Sequence, residues 1–316
     1  MLLLGPEDTK NHLAFPALID ALRAMFASGC EMPLRHHHNM EVPGEPDATL
    51  LLMPAWQPGK YFGVKLASVF PGNSTRNMPA ISASYVLSNG TTGETLALID
   101  GGELTARRTA AASALAADYL ARKNARHLVM VGTGRLSLNL IEAHAAVRAL
   151  EKVTVWGRSK DKADKIAAAA ADRLGIQCEV SEDLPETCAT ADIVSVATLS
   201  ETPVVSGDCL PNGCHLDLVG AFKPSMRESD DAAILKSSLF ADTREGAMTE
   251  GGDFAIPLRE GILTPDSILA DLYDLCRGHH QGRRDDSEIT LFKSVGAALE
   301  DLAGAILAYE TAKASS

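Results

Sequence analysis

An apolar run, His127-Leu-Val-Met-Val131, breaks into Gly132-Thr-Gly134 and then into a helical pattern over 138–150. A strand that ends in two glycines and passes at once into a helix is the strand, phosphate loop and helix of a parallel α/β unit. Glycine at 132 permits the tight turn, and glycine at 134 lets the backbone approach a pyrophosphate. The helix N-terminus adds free N–H groups and the positive end of its dipole. The third position of the usual G-x-G-x-x-G/A spacing is Ser137, which is small but not glycine. Two glycines also occur at ligand-free turns, so the context matters: a second strand-like run, 152–156, follows one helix length later.

At the tip of that second strand a carboxylate usually holds the ribose 2′-hydroxyl of NAD, whereas small and basic residues leave room for a 2′-phosphate. Here the tip reads Trp156-Gly-Arg-Ser-Lys160, with no acid. Arg158 can stack on adenine and pair with phosphate, and Ser159 can donate a hydrogen bond. The expected cofactor is NADPH, with NADH also possible. Gly132, Thr133, Gly134, Arg135 and Leu136 are expected at the pyrophosphate, Arg158 and Ser159 at the 2′-phosphate, and Ala197 and Thr198 at the nicotinamide-side ribose. Trp156, Val219 and Lys293 complete the expected cofactor set.

The alternation of short strands and helices continues through 177–180, 192–197, 215–219 and 238–241, the pattern of a doubly wound, Rossmann-type parallel sheet. Ahead of it, 8–28 reads as one helix with an apolar stripe. Strands at 48–53, 61–68, 81–87 and 95–99 are separated by Pro, Gly and Asn turns, and a helix at 104–121 leads into the sheet. The segment 263–282 reads as helical at first and then polar. An amphipathic helix over 295–312 is expected to return to the N-terminal region. The expected organisation is therefore an α+β substrate-binding and dimerisation domain, 1–115 with 290–316, and a dinucleotide-binding domain, 116–289.

A net charge of −12 over 316 residues argues against nucleic acid or an anionic membrane as partner, so a substrate anion must be gathered by local basic residues. The six cysteines show no C-x-x-C pair and no zinc-ligand spacing, which fits a reducing cytoplasm. The N-terminus lacks the basic flank of a signal peptide, and no apolar stretch reaches the ~18 residues of a membrane span.

Gly63-Val-Lys-Leu66, Pro71-Gly-Asn73, Leu104-Thr-Ala-Arg-Arg-Thr-Ala-Ala-Ala-Ser113, the glycine loop, Val155-Trp-Gly-Arg158 and Phe292-Lys-Ser-Val-Gly296 with Glu300-Asp301 together resemble the ornithine cyclodeaminase/μ-crystallin family. The resemblance spans nearly the whole chain. It implies cyclodeaminase, alanine dehydrogenase or cyclic ketimine reductase activity, and a homodimer whose N-terminal domain supplies the substrate pocket and the subunit contacts. It also implies that Arg108 binds the substrate carboxylate, with Arg35 and Lys65 as companions.

The residues themselves bear on those roles. A guanidinium is a bidentate partner for a carboxylate, and Arg107 and Arg108 near a helix N-terminus need a compensating anion. Lys65 points to the opposite face of its strand from Val64 and Leu66, where its ammonium can bind carboxylate or donate a proton. His36-His37-His38 alternate in direction and cannot all ligate one ion, so they are expected in a loop with no metal. His144 is expected to pack. In cyclodeaminases of this family an aspartate follows the glycine after the strand at 215–219. Phe222 stands there, and a phenyl ring cannot act as a base.

The expected reaction is therefore NAD(P)H-dependent reduction of a cyclic imino acid, Δ1-pyrroline-2-carboxylate to L-proline or Δ1-piperideine-2-carboxylate to L-pipecolate, with Lys65 and Arg108 as catalytic residues. Ornithine cyclodeaminase, an alanine-dehydrogenase-like oxidoreductase and a non-catalytic NADPH-binding protein remain as alternatives.

Overall fold

A computed structural model describes every residue except Asn77 and Ser316. In chain order the first elements are β1 (Leu2–Leu4), α1 (Pro6–Asn11), α2 (Phe15–Ser28), β2 (His36–Met40), β3 (Ala48–Gln57), β4 (Tyr61–Val69), β5 (Ile81–Asn89), β6 (Thr95–Asp100) and α3 (Gly101–Leu120). There follow β7 (His127–Val131), α4 (Ser137–Val147), β8 (Lys152–Trp156), α5 (Lys160–Leu174), β9 (Gln177–Val180), α6 (Leu184–Cys188), β10 (Ile193–Val196) and β11 (His215–Leu218). The last are α7 (Asp231–Lys236), β12 (Ser238–Ala241), α8 (Arg244–Thr249), α9 (Gly252–Arg259), β13 (Ile268–Asp271), α10 (Leu272–Cys276), β14 (Thr290–Lys293) and α11 (Ala298–Ala314). Two compact units result, one of residues 1–108 and 298–316, the other of 109–297. These limits stand beside the expected 115/116 and 289/290.

The first unit is a six-stranded sheet in the order β1-β6-β5-β4-β3-β2, antiparallel except for the β1–β6 pair. Its strands alternate: Met53, Ala55, Lys65, Ala67, Tyr85, Leu87, Ala97 and Ile99 are buried. Helix α11 packs on α2 and on β3, β4, β5 and β6. Covered on several sides, its first turns bury Leu299, Glu300, Asp301, Leu302 and Ala303 alike, so it is not the amphipathic helix expected. At Gly304 α11 lies close against α3, because a Cβ there would lie 2.7 Å from Leu104 Cδ1.

The expected single helix over 8–28 is two helices. Pro16 lacks an N–H and can sit only in a first turn, so the chain breaks after α1 and restarts at Phe15. The three histidines expected in a loop form the edge strand β2, paired with Leu50, Leu51 and Leu52 of β3.

The second unit is an eight-stranded parallel sheet in the order β13-β12-β14-β11-β10-β7-β8-β9. Its central strands are buried on both faces; β7 reads as an apolar run, while β10 and β11 carry Ser195 and Asp217 among their apolar residues. The order reverses between β7 and β10, the switch point beyond whose carboxyl ends doubly wound sheets bind their ligands. The stretch expected to open as a helix at 263 instead forms strand β13, because Ile268-Leu-Ala270 pairs with β12 and Asp271 then caps α10. Thr290-Leu-Phe-Lys293 is likewise a strand, β14. No helix among the described residues is long and apolar enough to cross a membrane.

Candidate active site

Lys65 projects from the inner face of β4, between Met53 of β3 and Tyr85 of β5. Its Nζ lies 2.6 Å from Asp301 Oδ2. Arg108, on α3, donates from Nε to Asp301 Oδ1 at 2.9 Å and from Nη1 to Glu300 Oε2 at 2.6 Å. Asp301 thus holds both cations, and it is fully buried with Glu300. Burial pulls the Arg108 guanidinium down, but Asp301 and Glu300 more than reverse this and keep it charged. Burial raises the Asp301 carboxyl, yet Arg108 and Lys65 hold it below the usual carboxylate range.

Lys65 is the group whose charge is poised to change. Burial lowers its ammonium to about 8, against the attraction of Asp301 and with help from the charges of Arg108 and Arg35. Arg35, half-buried just before β2, is therefore close enough to be felt at Lys65. The Tyr85 hydroxyl is buried and has no hydrogen-bond partner among the described residues; burial and the charge of Asp301 push it well above its ordinary value. Preorganised cations of this kind present fixed N–H groups to a carboxylate, Arg108 as a fork and Lys65 as a point charge.

The helix-dipole expectation is corrected in one respect. Helix α3 begins at Gly101, so Arg107 and Arg108 lie beyond its first turn, where Asp100 Oδ1 instead accepts from the Glu103 N–H at 2.6 Å. Their compensation comes from elsewhere in the unit: Arg108 has the two acids of α11. Arg107 donates to the Leu13 carbonyl at 2.8 Å and lies 4.1 Å over the Phe15 ring, which makes it a packing residue.

The glycine turn closes β7 as its sequence requires. Gly132 has φ 123°, and a Cβ there would lie 2.5 Å from the Ala197 carbonyl oxygen. Ser137, in place of a third glycine, donates from Oγ to the Gly132 carbonyl at 2.9 Å. Nothing lies within 4 Å of where a Gly134 Cβ would point, and the Thr133 and Gly134 N–H groups make no bond among the described residues. This open, donor-lined turn fits a pyrophosphate. At the end of β8, a Gly157 Cβ would meet Thr133 Cγ2 at 2.6 Å, Arg158 is exposed, and the Ser159 hydroxyl does not cap α5. Lys160 is engaged by Glu182 at 2.7 Å.

Arg135 is exposed, Leu136 and Trp156 are half-buried, and Ala197, Thr198 and Val219 lie at the carboxyl ends of β10 and β11. Lys293 is fully buried, with Nζ 3.1 Å from Asp253 Oδ2 and 3.3 Å from the Leu218 carbonyl. Its charge is directed into the unit. His144 is buried with Nε2 3.3 Å from Asp217 Oδ2. The three histidines of β2 are exposed. Phe222, 40% exposed, stands in the loop after β11.

Glu300, Asp301, Tyr85 and Glu228 were assigned no role from sequence. Two adjacent acids opening an Ala- and Leu-rich helix were the available signal for the first pair; Tyr85 and Glu228 carry none locally.

The family model described as ornithine cyclodeaminase/mu-crystallin matches residues 2–316. A Delta(1)-pyrroline-2-carboxylate reductase of Colwellia psychrerythraea is 35% identical, covering 96% of this chain and 97% of that protein. The structure of Thermococcus litoralis Delta(1)-pyrroline-2-carboxylate reductase in complex with NADH and L-proline is similar at TM-score 0.92 and 35% identity, over 100% of this chain and 98% of that one. An archaeal alanine dehydrogenase dimer with bound NAD is similar at TM-score 0.90 and 29% identity, over 100% and 97% of the two chains.

Proposed function

The chain belongs to the ornithine cyclodeaminase/mu-crystallin family, and from that premise we infer that it reduces a cyclic imino acid, Δ1-pyrroline-2-carboxylate to L-proline, with a nicotinamide dinucleotide as reductant. The carrying observation is the pair of buried cations, Lys65 and Arg108, held in place by one carboxylate, Asp301. Such a pair recognises the carboxylate of the imine; the similar reductases point to the ring.

The bound dinucleotide supplies the hydride. Arg108, Lys65 and Arg35 hold the substrate carboxylate and so fix the C=N carbon, and fixed orientation can remove a large part of the barrier. The imine nitrogen can arrive protonated; at neutral pH Lys65 is an ammonium and can also serve as donor. No acid occurs between Asp217 and Glu228, and Phe222 occupies the position expected of a deaminating aspartate, which favours reduction over deamination. Piperideine-2-carboxylate, one methylene larger, is a second substrate of the same class.

NADPH is the proposed reductant, on Arg158, Ser159 and the absence of an acid at the tip of β8, with NADH also accepted. The proposed assembly is a homodimer. By strand register Leu3, Leu98, Val86, Val64 and Pro54 form one row across the outer face of the six-stranded sheet, and Leu3 and Leu66 on that face are 68% and 46% exposed. A cytoplasmic location suits six cysteines that are all free thiols.

Incubation of the purified protein with Δ1-pyrroline-2-carboxylate is expected to oxidise NADPH or NADH continuously and yield proline. Ammonia release from ornithine without net cofactor change would sink this reading. Tight cofactor binding with no turnover on any imine would place the chain among binding proteins.

A further inference from the structure

One buried carboxylate ties together the two loops that leave β10 and β11. Glu228 Oε1 accepts the Thr198 N–H at 2.6 Å and the Thr198 hydroxyl at 2.8 Å. Its Oε2 accepts the Gly220 N–H at 2.7 Å and the Ala221 N–H at 3.2 Å. The main chain that carries it is fixed in turn, because Asp253 Oδ1 accepts the N–H groups of Glu228 and Ser229 at 2.8 and 3.1 Å. Behind them Lys293 faces Asp253 at 3.1 Å.

The loops this clamp joins are in direct contact. A Cβ on Gly220 would lie 1.8 Å from the Thr198 carbonyl oxygen and 2.5 Å from Glu228 Oε1, so only glycine fits. The Ala197 carbonyl oxygen in turn lies against Gly132 of the phosphate turn, 2.5 Å from where a Cβ would stand. The turn after β7, the loop after β10 and the loop after β11 therefore form one packed seam, at the switch point of the sheet.

We propose that Glu228 is the positioning residue for the nicotinamide half of the dinucleotide, acting through Thr198, Gly220 and Ala221 without touching the cofactor. This rests on the dinucleotide reading given above. Four donors converge on two oxygens, three of them main-chain N–H groups that cannot become acceptors. A proton on Oε2 displaces a main-chain N–H, and one on Oε1 is accommodated only by reversing the Thr198 hydroxyl, which removes a donor from the clamp. The charged groups facing the carboxyl are Asp253 from α9 and Lys293 from β14. Burial pushes the Glu228 carboxyl up to about 7, with Asp253 adding to the rise and Lys293 and the Thr198 donors opposing it. The clamp is complete above that pH and loosens below it.

Equilibrium titration with NADH, whose pyrophosphate does not titrate in this range, tests the proposal. The wild-type Kd is expected to rise about tenfold from pH 8.5 to 5.5, the loss of one or two hydrogen bonds. Glu228→Gln puts an amide N–H among donors, so it is expected to bind at pH 8.5 as weakly as wild type does at 5.5, with a flat profile. Parallel pH profiles for the two proteins would overturn the clamp. Should the variant fail to fold, wild-type hydrogen exchange decides. Protection of the Thr198, Gly220 and Ala221 amides, corrected for intrinsic rate, falls through pH 7 if the clamp is real and stays constant if it is not. Absence of both NADH and NADPH binding at every pH would overturn the dinucleotide reading and the clamp with it; binding with pH-independent Kd overturns the clamp alone.

Discussion

Two fully buried aspartates, one in each unit, show how similar polar burial leads to different ends. Asp217, on β11, accepts from the Ser113 and Ser195 hydroxyls at 2.9 and 2.6 Å and faces His144 Nε2 at 3.3 Å. Burial raises it, but these partners more than compensate and keep it ionised. Its donors are short, neutral or histidine side chains that end at the carboxylate, so the cluster ties α3, α4, β10 and β11 together and goes no further. Asp301 instead holds Lys65 and Arg108, each of which has N–H groups beyond those it gives to Asp301. A carboxylate that satisfies hydroxyls is part of the frame; one that orients cations makes a place for a second anion. Burial and charge alone did not separate the two, and the chemistry of the partners did.

The comparison breaks most visibly at Arg108. Arg108→Ala leaves Glu300 and Asp301 buried without their main cation, and a loss of about 3–5 kcal/mol in unfolding free energy is expected. Denaturant titration measures it, and the cleaner kinetic probe is Arg108→Lys, which keeps a charge and loses the fork. Its kcat/KM for the imino acid is expected to fall by about a hundredfold or more, the order of a charged hydrogen bond or two, while cofactor Kd stays within twofold. Equal weakening of the cofactor would place this arginine elsewhere.

Asp217→Asn should lower stability by about 1–3 kcal/mol and leave kcat/KM per folded molecule unchanged. A catalytic collapse with normal stability would mean that the two aspartates are not different in kind.

Lys65 sharpens the contrast through pH. Its ammonium is present below about 8 and lost as pH rises through that value, so KM for the imino acid should rise up to about tenfold per unit above it. In Lys65→Met this limb should vanish. Its persistence would assign the titration to another group.

The smallest effect expected is at Arg158. Arg158→Asp should shift the NADPH-to-NADH ratio of kcat/KM towards NADH by roughly tenfold, one charged contact with the 2′-phosphate; an unchanged ratio would remove that contact.

The parallel sheet was legible because short strands such as the apolar β7 alternate with helical segments, and β8, β9 and β12 fall where that alternation places them. Edge strand β2 was not: its residues are polar histidines, and only pairing with β3 makes them a strand. Strand β13 is four residues long and was absorbed into a helical reading of its neighbours. Lys65 and Arg108 stood out as charges set among apolar residues. The acids that hold Arg108 lie 192 and 193 residues along the chain, a pairing that no local pattern encodes. Glu228 is similarly silent, an acid in a polar loop until the fold brings two further loops to it.

The most direct test of the account is the kcat/KM for Δ1-pyrroline-2-carboxylate relative to Δ1-pyrroline, the same ring without its carboxylate, in wild type and in Arg108→Lys. If Lys65 and Arg108 hold the carboxylate, wild type should favour the acid by about a thousandfold, the worth of a pair of charged contacts, and the variant should lose most of that preference while handling the neutral imine unchanged. A preference that survives in the variant, or a wild type indifferent to the carboxylate, would contradict it.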